Sequence, residues 1–395
     1  MAISKKMQEL SQRSSWIRRM FEEGAKLKAL YGPENVCDFS LGNPDVPPPP
    51  EFYTVLEQLA LERTPGRHGY MSNAGFPEVR EAVARRIAAE QGKLVSRDDV
   101  LMTCGAAGGL NVVLKAILDP GDEVIVLSPY FVEYHFYIDN HGGIPVVVPT
   151  AADFTLDLAA IAKALTPRTK AIIINSPNNP TGRIYSRDSL VGLAETLAAA
   201  GKRFSTTIFL ISDEPYRKIV YDNNSVPAVF ELYAESLVVS SHSKDLSLPG
   251  ERIGYIAVHP EIAYKDQLLA AMTLANRILG FVNAPALMQR LVGRLSGAVV
   301  DNRIYADRRD LLCRILLEIG YEFTPPQGAF YIFPKSPITD DAEFVNLLLE
   351  NRILAVPGRG FGAPGYFRLA FCVDEKVIER SATGFRAAFN KAGKS

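Results

Sequence analysis

Between Asp99 and Val258 the chain alternates short apolar runs with stretches of helical spacing, and no other feature narrows its possible folds so far. The runs are Val100–Cys104, Glu123–Leu127, Ile144–Val148, Ala171–Asn175, Ile208–Ser212, Leu237–Ser241 and Ile253–Val258. Runs of this length suit strands, and helical stretches between them suit the crossovers that parallel strands require. The expected fold is therefore α/β, with a mainly parallel central sheet sandwiched by helices on both faces.

The flanks follow a different pattern. Gln8–Tyr31 has helical spacing and is followed by the proline-rich stretch Gly42–Pro50, where a helix cannot continue. Downstream, Glu261–Leu295 and Ala298–Ile319 read as helical. Then come a helix around Asp341–Asn351, strands at Ile353–Val356 and Tyr366–Phe371, and a final helix. Such mixed order predicts a smaller α+β domain. The expected division is an N-terminal arm over 1–46, a large domain over 47–295 and a small domain over 296–395.

Charge excludes several kinds of partner. The 43 basic and 44 acidic residues nearly cancel, and no long block of one sign occurs, so neither nucleic acid nor a membrane surface is the expected partner. Small-molecule chemistry is the default. Met1–Met20 mixes Lys5, Lys6, Arg13, Arg18 and Arg19 with apolar residues and lacks a signal peptide's apolar core, so a cytoplasmic location is expected. Four widely spaced cysteines, Cys37, Cys104, Cys313 and Cys372, fit neither a metal ribbon nor a disulfide framework.

Several residues point to chemistry. Lys244, in Ser241-His242-Ser243-Lys244, emerges from the apolar run Leu237–Val239. Partial burial and nearby cations disfavour its charged form, which makes its amine a nucleophile for a carbonyl. Arg252, in Pro249-Gly250-Glu251-Arg252, stands eight positions on and can reach back to a phosphate on whatever the lysine holds. Gly105-Ala106-Ala107-Gly108-Gly109 joins a strand to a helix, where small residues let backbone N–H groups approach an anion. A dinucleotide fold is excluded, because Gly-x-Gly-x-x-Gly is absent there. Asp213 follows Ile208–Ile211, at the strand end where open α/β sheets present ligand-binding groups. Arg368 interrupts the apolar Tyr366–Phe371, so it either reaches solvent or meets an anion.

Together these elements, in this order from about Phe39 to Phe371, resemble the pyridoxal-phosphate aminotransferases of the aspartate aminotransferase superfamily, fold type I, classes I and II. The resemblance implies ping-pong transamination between an L-amino acid and a 2-oxo acid, with Lys244 holding pyridoxal phosphate as a Schiff base and then moving the proton. It implies that Asp213 keeps the pyridine nitrogen protonated, and that Asn179 and Tyr216 bond the ring oxygen, Asn175 being a weaker candidate. Phe131 stacks on the ring. Gly105, Ala106 and Ala107 hold the phosphate with Ser241, Ser243 and Arg252, while Gly42, Asn179 and Arg368 receive the substrate, Arg368 its α-carboxylate. Tyr70 is the residue sent to the neighbour's phosphate, which makes a homodimer with shared sites. The N-terminal arm packs with the C-terminal part. Bacterial members for acidic substrates carry a lysine where Ala107 stands, leaving Arg277 and Arg359 as candidate second cations. The alternatives are a C–S β-lyase of the same fold and a pyridoxal-phosphate-sensing regulator.

Overall fold

The computed structural model describes residues 3–12, 16–295 and 297–393. Its centre is a seven-stranded sheet whose strands coincide with the seven apolar runs to within two residues. Across the sheet the order is Val100–Thr103, Gly254–Val258, Ser236–Ser241, Phe209–Asp213, Thr169–Asn175, Glu123–Ser128 and Ile144–Pro149. Only Gly254–Val258 runs against its neighbours, so the sheet is mainly parallel. Six of the strands have almost no exposed residue, as both faces are covered. Ile144–Pro149 is the exception. It lies at the edge, exposes Ile144, Val147 and Pro149 and carries Pro145 and Pro149, which an edge tolerates because ladder donors are not needed on its open side.

Two apolar cores lie on opposite faces of this sheet. One joins Val83 and Ile87 of the helix Pro77–Gln91 to Leu193 and Leu197 of Arg187–Phe204. The other joins Val112 and Val113 of Gly105–Ile117 to Met272 of Lys265–Ile278. A third core is aromatic and holds the remaining elements. In it Met20, Phe39 and Val46 from the N-terminal segment pack with Phe330, Phe344, Phe367, Phe371 and Phe385 from the C-terminal part. The strand Cys37–Asp38 pairs in parallel with Ile353–Leu354, and Val356–Pro357, Phe367–Ala370 and Tyr331–Ile332 form a small antiparallel sheet.

Boundaries of secondary-structure elements differ from expectation in three places. The helix expected over Gln8–Tyr31 is described as Lys5–Gln12 and Trp16–Tyr31, and residues 13–15, Arg13 among them, lie outside the described residues. The expected domain boundary at 295/296 abuts Ser296, which also lies outside them. The helix expected from Ala298 begins at Asn302, because the Asp301 side chain accepts from the Arg303 N–H and caps it there. The strand expected over Ile353–Val356 breaks at Ala355, its two halves pairing with different partners.

Candidate active site

The carboxyl ends of the central strands and the aromatic core enclose a cavity of about 300 Å³. Lys244 enters it from the turn His242–Asp245, immediately after the strand Ser236–Ser241. Its Nζ donates to the Gly42 carbonyl at 2.7 Å. Its pKa is lowered to about 8, chiefly by burial, with Cys372 opposing the shift and Arg368 and Arg252 adding to it. At pH 7 such an amine is roughly one part in ten neutral, against roughly three in ten thousand for an ordinary lysine.

Asp213 ends its strand as a buried carboxylate facing the same cavity. Oδ2 accepts from the Tyr134 hydroxyl at 2.6 Å, while Oδ1 is buried with no hydrogen-bond partner. Burial pushes its pKa up to about 7, with the Tyr134 bond working against the rise and Glu214 adding to it. A buried carboxylate with one oxygen unserved suits a ligand that brings a proton donor.

Arg368 lies in the strand Phe367–Ala370 and is 2% exposed. It does not reach solvent. Nη1 donates to Asn179 Oδ1 at 3.1 Å and Nη2 to the Ser40 carbonyl at 2.5 Å, leaving Nε without a partner. The guanidinium is held between the rings of Tyr331 and Phe361, each 4.7 Å away. Among the described residues no carboxylate pairs with it, so its charge is balanced only when an anion enters. Tyr331 also bonds the Tyr216 hydroxyl at 2.8 Å and presses on Gly42, where any Cβ would overlap it.

A third region of the cavity is lined by Ala106, Ala107, Ser241, Ser243 and Arg252. Gly105–Ala107 is already the first turn of the helix Gly105–Ile117 and not a loop before it, so its free N–H groups point out of the helix start. Gly105 itself does not line the cavity. Its φ is +71°, and a Cβ there would lie 2.8 Å from Arg252 Nη2, so this glycine makes room for the arginine.

Most of the expected site residues are brought together here. Gly42, Ala106, Ala107, Phe131, Asn179, Asp213, Tyr216, Ser241, Ser243, Lys244, Arg252 and Arg368 all line the one cavity. Asn175 lines it too, but its side chain is spent on the Asp213 carbonyl and the Asn179 N–H, at 2.8 and 2.7 Å. Tyr70 stands apart, 93% exposed and outside the cavity of its own chain. Arg359 is corrected. It pairs with Asp341 at 2.6 Å and Asp340 at 2.5 Å, away from the cavity, and has no charge to spare for a substrate. Arg277 is exposed at the end of the helix Lys265–Ile278. Sequence reasoning missed Tyr134, Tyr137 and Tyr331. The first two stand three apart on the helix Glu133–Asn140, a spacing that puts both on one face and could have signalled them.

A family model described as Aminotransferase class I and II matches residues 34–385. A probable aspartate/prephenate aminotransferase of Aquifex aeolicus is 36% identical over 366 residues, covering 89% of this chain and 90% of its own. The crystal structure of an amino transferase from Eubacterium rectale superimposes with a TM-score of 0.95 at 40% identity over 99% of each chain. That of the Thermus thermophilus aspartate aminotransferase with maleate gives 0.86 at 28% identity, over 98% of this chain and 100% of that one.

Proposed function

The chain belongs to the class I and II aminotransferase family, a family of pyridoxal-phosphate-dependent transaminases, and from that premise we propose how its own residues carry the reaction. Lys244 is the amine that holds the cofactor. It then moves a proton at the substrate α-carbon, accepting it and returning it as general base and acid in a ping-pong transfer between an L-amino acid and a 2-oxo acid. The observation that carries this reading is one cavity holding an amine lowered to about 8, a buried acid with a free oxygen and a buried arginine without a carboxylate.

These residues fit pyridoxal phosphate. When bound, the cofactor supplies an electron sink for the charge left as the α-proton departs. Asp213 Oδ1 is the acceptor for a protonated ring nitrogen, and Tyr134 holds the other oxygen in place. Asn179 and Tyr216 serve the ring oxygen, and Phe131 covers the ring. Ser241, Ser243, Arg252 and the helix start at Ala106 and Ala107 hold the phosphate, with Gly105 making room for Arg252. Arg368 binds the α-carboxylate with Asn179 and Gly42 beside it. Tyr70 completes the partner subunit's site in a homodimer, a reading supported by its exposure and its distance from its own cavity.

The relatives named for aspartate put acidic amino acids first among donors to screen. Lys244, Arg252 and Arg368 are the cations lining the cavity among the described residues, so neutral amino acids belong in the same screen. The test is a half-reaction: cofactor-loaded protein mixed with single amino acids and no acceptor. Stoichiometric release of the matching 2-oxo acid, with loss of the lysine-linked absorption band, is the expected result. Continued release of ammonia and pyruvate with the band intact would replace transamination by β-elimination.

A further inference from the structure

The helix Pro77–Gln91 lines no part of the cavity, yet it sends polar side chains behind both residues on which that reading depends. Arg86 meets the lysine turn. Its Nη2 lies 3.4 Å from His242 Nε2 and its Nη1 3.8 Å from Asp245 Oδ2. His242 and Asp245 are buried and bracket Lys244 within the turn, while Ser243 and Lys244 face the cavity. Guanidinium nitrogens only donate, so His242 Nε2 accepts and the ring proton sits on Nδ1, 3.3 Å from Asp245 Oδ2.

One turn along the same helix, Glu90 and Gln91 meet the segment that follows Asp213. Glu90 pairs with Lys218 at 2.6 Å and with Arg217 at 3.8 Å. Gln91 Nε2 donates to Glu214 Oε2 at 3.1 Å, and Arg217 Nη1 donates to the same oxygen at 2.9 Å. Opposite charges meet at every link of the cluster, from Asp245 through Arg86 to Glu90, which pairs with both Lys218 and Arg217, and from Arg217 to Glu214, and its formal charges cancel. Ion pairs add little stability over apolar packing when buried and less when part-exposed, as Arg86 and Lys218 are, so placement is the better reason for this cluster. Lys244 thus has Asp213, Tyr216, Arg252 and Arg368 on its cavity side, the Cys372 thiol acting on it from outside the cavity lining, and a cluster of cancelling formal charge behind it.

We propose that Arg86 is a positioning residue for Lys244, holding His242 and balancing Asp245 behind the turn so that the amine keeps its place relative to Asp213 and is not drawn into its charged form. The proposal rests on Lys244 being the cofactor-holding amine. The variants are Arg86→Met, Arg86→Lys, and Arg86→Met combined with Asp245→Asn. The first readout uses cofactor-free protein: acylation of Lys244 across pH, followed by peptide mass spectrometry. Arg86→Met leaves Asp245 unbalanced, so the pH of half-reaction rises, and the double variant returns it to the native value. In loaded protein Arg86→Met lowers kcat roughly tenfold with KM changed by less than about twofold. Should Arg86→Met not fold, Arg86→Lys carries the test, because it keeps the charge and so the native Lys244 titration, with kcat reduced. An unshifted titration in Arg86→Met, a double variant that does not restore it, or a shifted titration in Arg86→Lys overturns the proposal. Native protein that binds cofactor without attaching it to Lys244 sinks the underlying reading instead, and the cofactor-free titration still decides the role of Arg86.

Discussion

Lys244 and Asp213 are perturbed by one cause with opposite results: burial removes the charge from each, lowering the amine and raising the acid. Each shift is also a statement about stability. Asp213 keeps its proton to about pH 7 in the folded protein and loses it near 3.8 when unfolded, so the folded state holds the extra proton between these values and stability falls as pH rises through them. Lys244 runs the other way, with the unfolded state holding the extra proton between about 8 and 10.5, so stability rises there. In cofactor-free protein, Asp213→Asn removes the falling limb. Its thermal midpoint should therefore gain on the native protein's as pH is raised from 4 to 8, and parallel curves over that range would refute the assignment. Arg368 was legible as a charge inside an apolar strand, whereas the partner of Tyr134 was not, since only folding sets its hydroxyl against Asp213.

At the scale of elements, the helix Gly105–Ile117 joins local conformation to ligand binding. Gly105 starts it with a left-handed φ and lets Arg252 close on the same anion-binding end. Gly105→Ala adds a Cβ in both unfavourable respects, with a backbone cost of about 1–2 kcal/mol. The expected outcome is cofactor affinity weakened roughly tenfold, because both phosphate groups of contacts shift together, with Lys244 still able to attach it. Fluorescence titration of cofactor-free protein checks this, and unchanged affinity would remove the glycine from the argument. The sheet was legible because each strand carries its own apolar run. The division of Ile353–Val356 was not, because nothing in four apolar residues says which neighbours they pair with.

The whole molecule joins segments far apart in the chain. Phe39 and Phe385 pack ring against ring at 5.7 Å, and Lys244 reaches back to Gly42. In the homodimer we propose, Tyr70 reaches further still, into the partner's site. Tyr70→Phe should then speed cofactor loss several-fold without altering the dimer's sedimentation, because one hydroxyl bond to the phosphate goes and the ring's packing stays. Native cofactor retention in this variant would place Tyr70 outside the partner's phosphate site.

The sequence by itself determined the strand–helix alternation, the lysine at a strand end and the arginine with no apolar excuse, since backbone periodicity and side-chain chemistry are local properties. Tertiary structure decided which polar groups share one dry volume. Arg359 and Arg368 stand nine residues apart, yet one is neutralised by Asp340 and Asp341 while the other is buried between two rings without a carboxylate. A charge becomes a binding group only when its surroundings withhold both water and a counter-ion, and that depends on contacts between distant segments.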